Sequence, residues 1–231
     1  MMRSSFIPAS AAFALLLAFG CTADPADDDD AGEEVVDEPP PSSYMANGYP
    51  TILEENEAYT GDGSDRRDLI HTFEMVDQHG NMVDYRQFLG FVVILDVSAE
   101  WCPPCRTAAE GAQEVYEEIQ ALGPVYYLNV LAQNWDGDPA TEQTASDWSS
   151  DFDLDLPVLA DADEAYSAQV GVGSFPTFWF IRPDGEIERR SSGFGGDEQL
   201  ITWAEYLLED SEDDLRHIPG WPDVTAEHDE D

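Results

Sequence analysis

Phe91-Val-Val-Ile-Leu-Asp96-Val-Ser-Ala-Glu-Trp101-Cys102-Pro103-Pro104-Cys105-Arg106 runs an almost continuous apolar segment straight into two cysteines. An apolar run this short, residues 91–97, reads as a central strand buried on both faces. Residues 103–121 then read as a helix. Pro103 and Pro104 fit a first turn, where missing N–H groups cost little, and Val115, Ile119 and Leu122 recur at helical spacing. The cysteines therefore sit where a strand hands over to a helix. Unpaired N–H groups and the positive end of the helix dipole stabilise a thiolate there. Two intervening residues let Cys102 and Cys105 interconvert between dithiol and disulfide with little movement. Cys102, nearer the helix start and the solvent, is the expected nucleophile, and Cys105 the residue that resolves a mixed disulfide. Arg106 is expected to point into water.

Further out the signals alternate. Residues 71–77 and 82–85 form an extended pair about the turn His79-Gly80-Asn81, and 125–131 is a second buried strand. A helix is expected at 141–152, with Trp148 and Phe152 four apart on one face. A short extended piece at 157–159 and a short helix at 163–170 follow. Strands at 178–182 and 186–190 flank the turn Pro183-Asp184-Gly185, and a helix at 197–208 closes the pattern. This order predicts an α/β sandwich, with helices on both faces of a mixed sheet.

Other readings of the cysteine pair are weaker. Half a zinc site needs a second pair, and His71, His79, His217 and His228 show no ligand spacing. A purely structural disulfide closing so short a loop adds little stability. The segment 97–105, with its Trp-Cys-Pro-Pro-Cys, resembles the active site of the thioredoxin superfamily. Gly171-Val-Gly-Ser-Phe175-Pro176-Thr177 is similar to that superfamily's second signature. Residues 72–96 and Phe180-Ile-Arg-Pro-Asp-Gly-Glu-Ile187 look like the TlpA/ResA-like exported branch, which shares its architecture with the AhpC/TSA peroxiredoxins. The resemblance spans about 68–208.

The resemblance implies a thioredoxin-like three-layer sandwich and thiol–disulfide exchange without metal or organic cofactor. It implies a cis Phe175–Pro176 bond facing the dithiol, where the backbone of Phe175 pairs with a substrate strand. It also matches Asp96 to a buried acid whose raised pKa suits it to accept a proton from Cys105. Trp101 is expected to shield the dithiol. Three departures stand out. No lysine exists to partner the acid, Glu110 and Gly111 occupy the place of a mid-helix proline, and Ala108 stands where the ResA-like branch often carries Glu. Asp96, solvent or Glu110 is left to handle protons. A Pro-x-x-x-Thr-x-x-Cys pattern before Cys102 is absent, which demotes the alternative of an AhpC/TSA-type thiol peroxidase. A copper-binding or redox-sensing module is the non-enzymatic alternative.

The chain's 231 residues carry 50 Asp and Glu against nine basic residues, all Arg, for a net charge of −41. A surface so acidic repels phosphate backbones, so nucleic acid is excluded as a partner. Residues 22–65 hold 14 acids and no base, and 11 acids follow from Glu205 onward. Residues 21–66 accordingly read as a solvated tether and 211–231 as an acidic tail, around a domain at 67–210. The apolar run at 13–19 is too short to span a membrane and fits an export signal over 1–20. Leu17-Ala-Phe-Gly-Cys21 resembles a bacterial lipobox, implying lipidation of Cys21 and anchorage in the cell envelope; an ordinary signal peptide cut after Ala23, leaving a soluble exported protein, is the alternative. Expected partners are exported proteins bearing thiols or disulfides, a membrane redox partner, and the membrane itself through the anchor.

Overall fold

The computed structural model describes residues 45–211 and Leu215. The signal segment, Cys21 and most of the C-terminal tail lie outside the described residues. The strands in chain order are β1 (Met45–Ala46), β2 (Tyr49–Pro50), β3 (Glu74–Asp77), β4 (Met82–Asp84), β5 (Val92–Ala99), β6 (Val125–Gln133), β7 (Val158–Ala160), β8 (Thr177–Ile181) and β9 (Ile187–Ser192). The helices are α1 (Pro103–Leu122), α2 (Glu142–Phe152), α3 (Ala165–Gln169) and α4 (Asp197–Asp210). None of these helices is long and apolar enough to cross a membrane.

Seven strands form one mixed sheet in the order β4-β3-β7-β6-β5-β8-β9. β5 sits between parallel β6 and antiparallel β8, and all eight of its residues are buried. That double burial is why its sequence is apolar without alternation. The parallel steps from β5 to β6 and from β6 to β7 move in one direction across the sheet. Right-handed crossovers therefore place α1 and α2 on the same face. There they join α4 over a core that includes Ile94, Val115, Ile119, Trp148 and Leu207. The other face is covered by α3, a 3-10 turn at Tyr85–Phe88 and the N-terminal segment, over Val93, Leu95, Leu128 and Trp179. The expected two-sided sandwich is present, with the longer helices on one side.

Local chemistry sets the element ends. The Asp77 carboxylate accepts from the backbone N–H groups of His79 (2.9 Å) and Asn81 (2.8 Å), closing the β3–β4 turn. Thr141 and Thr144 cap α2 reciprocally, each hydroxyl accepting from the other's N–H. Gly185 has φ 88°, and a Cβ there would lie 2.4 Å from the Tyr59 hydroxyl, so glycine is required twice over.

Both expected tail boundaries need correction. Residues 45–66, assigned to the acidic tether, pack against the domain. Tyr49 is buried and its hydroxyl donates to Asp77 (2.9 Å), while the Tyr59 hydroxyl donates to the Ile70 carbonyl (2.9 Å). The Arg66 guanidinium pairs with Glu188 at 2.5 Å. At the other end Ser211 is buried and Leu215 packs on the α1 core. Spaced aromatic anchors, together with their hydrogen bonds and the Arg66–Glu188 pair, hold the segment despite its acidic composition.

Candidate active site

Cys102 is the residue immediately before α1, in extended conformation, and its Sγ accepts a hydrogen bond from the Cys105 N–H at 3.3 Å. The sulfur therefore occupies the position an N-cap oxygen would take, which is where a thiolate gains most from the helix end. Cys102 and Cys105 are joined in a disulfide with Cα atoms 5.3 Å apart. Solvent access does not separate them as expected: Cys102 is 2% exposed and Cys105 1%. Their difference lies in helix position alone.

The Phe175–Pro176 peptide bond is cis. Antiparallel pairing of Val97 with Thr177 runs the chain before Thr177 alongside the chain after Val97, so the proline loop lies at the strand end that leads to the dithiol. Trp101 and Phe175 bridge the two segments with an edge-to-face contact, ring centroids 6.0 Å apart. The Trp101 indole N–H donates to Gln133 Oε1 (2.9 Å), leaving the ring 43% exposed beside the cysteines.

Asp96 is 2% exposed and on the α1 side of the sheet, two residues along from Ile94. Its Oδ1 accepts from the Ser98 hydroxyl (2.8 Å). Its Oδ2 accepts from Asn129 Nδ2 (2.9 Å) and, at 3.4 Å, from the Tyr127 hydroxyl. Burial pushes Asp96 up to about 7, with these three hydrogen bonds pulling the other way. Ser98, Tyr127 and Asn129 were not singled out from the sequence. A signal existed, since Asn129 is the one amide inside the otherwise apolar run 125–132.

Arg106 does not point to water. Its guanidinium lies over the rings of Phe152, Trp135 and Trp148, at 4.9, 5.5 and 5.6 Å from their centroids. Trp135 was also missed. It is 60% exposed, and its backbone N–H donates to Glu100 Oε2 (2.8 Å) in the active-site segment. Glu110 is exposed and Ala108 is buried.

A cysteine pair capping the helix that follows a central strand, with a cis-proline loop at the same strand end, defines the thioredoxin superfamily. The AhpC/TSA family profile matches residues 67–190. Over 143 residues the chain is 30% identical to thiol-disulfide oxidoreductase ResA of Oceanobacillus iheyensis, covering 62% of this chain and 70% of the relative. Over 116 residues it is 25% identical to sporulation thiol-disulfide oxidoreductase A of Bacillus subtilis, covering 50% of this chain and 68% of that one. The crystal structure of StoA from Bacillus subtilis shares the fold, with a TM-score of 0.50 at 24% identity, over 58% of this chain and 96% of that one. The chain belongs to the AhpC/TSA family, in its TlpA/ResA-like thioredoxin branch, and is a thiol–disulfide oxidoreductase.

Proposed function

We propose that this enzyme exchanges disulfides with exported protein substrates in the bacterial cell envelope, using Cys102 and Cys105 as the redox pair. The observation that carries the reading is the cysteine pair at the start of α1, with Cys102 Sγ receiving an N–H of the first turn. In the reducing direction the Cys102 thiolate attacks a substrate disulfide, forming a mixed disulfide and releasing one substrate thiolate. Asp96 takes the proton of the Cys105 thiol. The Cys105 thiolate then attacks Cys102 Sγ, closing the enzyme disulfide and releasing the second substrate thiolate. The reverse sequence oxidises a substrate dithiol. Trp101, Phe175 and Pro176 form the substrate-binding edge, where the substrate strand lies beside the proline loop. No metal or organic cofactor takes part.

The same reading gives Cys21 to a lipid anchor and residues 21–44 to an acidic tether. The folded domain then runs from about 45 to 215, followed by the acidic tail. A membrane redox partner resets the pair between turnovers.

Catalysed reduction of insulin disulfides tests the central claim. Cys102→Ser is expected to abolish it, and Cys105→Ser to trap a mixed disulfide visible as a covalent adduct. Undiminished turnover by Cys102→Ser would sink the proposal.

A further inference from the structure

Asp96 and Asn129 stand directly opposite each other on adjacent parallel strands, β5 and β6. The chain has no lysine, and among the described residues Asp96 forms no ion pair. All three hydrogen bonds to its carboxylate come from neutral groups. Asn129 is buried, and only half of its amide is used. Nδ2 donates to Asp96 at 2.9 Å, whereas the buried Oδ1 has no partner. A buried amide oxygen left without a donor is costly, so its place beside a buried acid calls for an account.

The inventory of donors and acceptors around the acid supplies one. Ser98, Tyr127 and Asn129 present three donors to a charged carboxylate, which accepts all of them. A protonated carboxyl carries a donor of its own and needs an acceptor. A half-turn of the Asn129 amide exchanges Nδ2 for Oδ1 at the position 2.9 Å from Asp96 Oδ2. The orphan oxygen then accepts a hydrogen bond from the protonated carboxyl, and Nδ2 takes the place that Oδ1 leaves.

We propose that Asn129 is the positioning residue for proton exchange between Asp96 and the dithiol. Its amide holds the carboxylate through N–H and turns over to accept the O–H when Asp96 takes up a proton. The proposal rests on the dithiol reading above. The balance is simple: Cys105–SH and Asp96–COO⁻ become Cys105–S⁻ and Asp96–COOH, and the proton never resides on Asn129. The other groups facing the acid are few. β5 supplies Ser98, β6 supplies Tyr127, and β8 sets the apolar Phe178 opposite Asp96. α4 contributes Asp197, whose charge acts on Tyr127, and α1 carries the cysteines. Burial holding Asp96 up to about 7 is consistent with a group that gains and loses its proton near neutrality.

Side-chain NMR of the full chain tests this directly, using ¹³C-labelled aspartate and ¹⁵N-labelled asparagine. In the reduced wild type, the Asn129 side-chain N–H signals are expected to shift with the same midpoint as the Asp96 carboxyl. In Asn129→Leu the Asp96 midpoint is expected to rise by about one unit, a tenfold gain in proton affinity, because a donor to the charged form is gone. The pH profile of insulin reduction should move by the same amount. Amide signals that stay flat through the Asp96 titration overturn the proposal, as does an unmoved midpoint in Asn129→Leu. Should that variant not fold, the wild-type titration alone decides. The NMR readout needs no turnover, so coupled titration alongside undiminished Cys102→Ser activity marks failure of the exchange reading, not of the Asn129–Asp96 coupling.

Discussion

Asp96 illustrates how one residue can set chemistry and stability against each other. Burial pushes it up to about 7, whereas in the unfolded chain it titrates near its ordinary value of 3.8. The folded state therefore binds this proton more tightly. The group's contribution to stability is full below about pH 4 and falls as pH rises through 7, above which it is constant. A difference of roughly three units corresponds to about 4 kcal/mol as an upper bound, with relaxation around the charge reducing it. Asp96→Asn keeps an acceptor for the surrounding donors and removes the buried charge. It should unfold later in urea than wild type by about 2–4 kcal/mol at pH 8 and match wild type at pH 4. A variant equally stable at both pH values, relative to wild type, would refute the buried charge as the cause. Asp96 was legible as a candidate only through the family resemblance, which places a buried acid six residues before Cys102. Its partner Asn129 was not, because pairing between β5 and β6 depends on register, which local sequence does not state.

At the scale of elements, most of the pattern could be read from periodicity. Residues 103–121, expected as a helix, form α1 over Pro103–Leu122, and the strand expected at 91–97 forms β5 over Val92–Ala99. Contacts between elements were less accessible, and Arg106 shows why. A cation near a helix start reads as solvated, but here α1 lies against α2 and the loop after β6. These supply Trp148, Phe152 and Trp135, and a planar, weakly hydrated guanidinium stacks on such rings more readily than it stays in water. In a chain rich in carboxylates, Arg106 nevertheless forms no ion pair among the described residues. Its role is to hold α1, α2 and the Trp135 loop together. Arg106→Ala is expected to cost about 1–2 kcal/mol in urea unfolding and to shift the tryptophan emission as Trp135 loses its cover. Arg106→Lys should recover only part of that loss, since an ammonium cannot stack face to face. Complete recovery by lysine would rule out planar stacking as the source.

For the whole molecule, the net charge of −41 divides unevenly: 25 of the 50 acids lie in 22–65 and from Glu205 onward. Composition alone therefore drew the domain boundary at 67, and it drew it too late. The segment 45–66 is held by a few separate anchors. Tyr49 meets Phe88 edge-on at 5.9 Å, and Tyr59 meets Tyr85 at the same separation. The Gln87 side chain donates to the Pro50 carbonyl at 2.8 Å. Arg66 joins Glu188, which also pairs with Arg182, itself in contact with Asp210 at the end of α4. Burial alone would raise Glu188, but the two guanidiniums outweigh it and hold the carboxyl below its usual range. Both ends of the fold thus meet at β9. None of these anchors recurs at a helical or strand period, so no window of sequence reveals them. They make a testable claim about the chain as a whole. Tyr49→Ala removes a buried ring together with the hydrogen bond to Asp77, and is expected to cost about 2–4 kcal/mol in urea unfolding. Tyr59→Ala, at a half-buried position, should cost about 1–3 kcal/mol. Both rings rest on the same 3-10 turn, so the double variant should depart from simple addition. If 45–66 were a solvated tether, neither substitution would move the midpoint, and that result would return the boundary to residue 67.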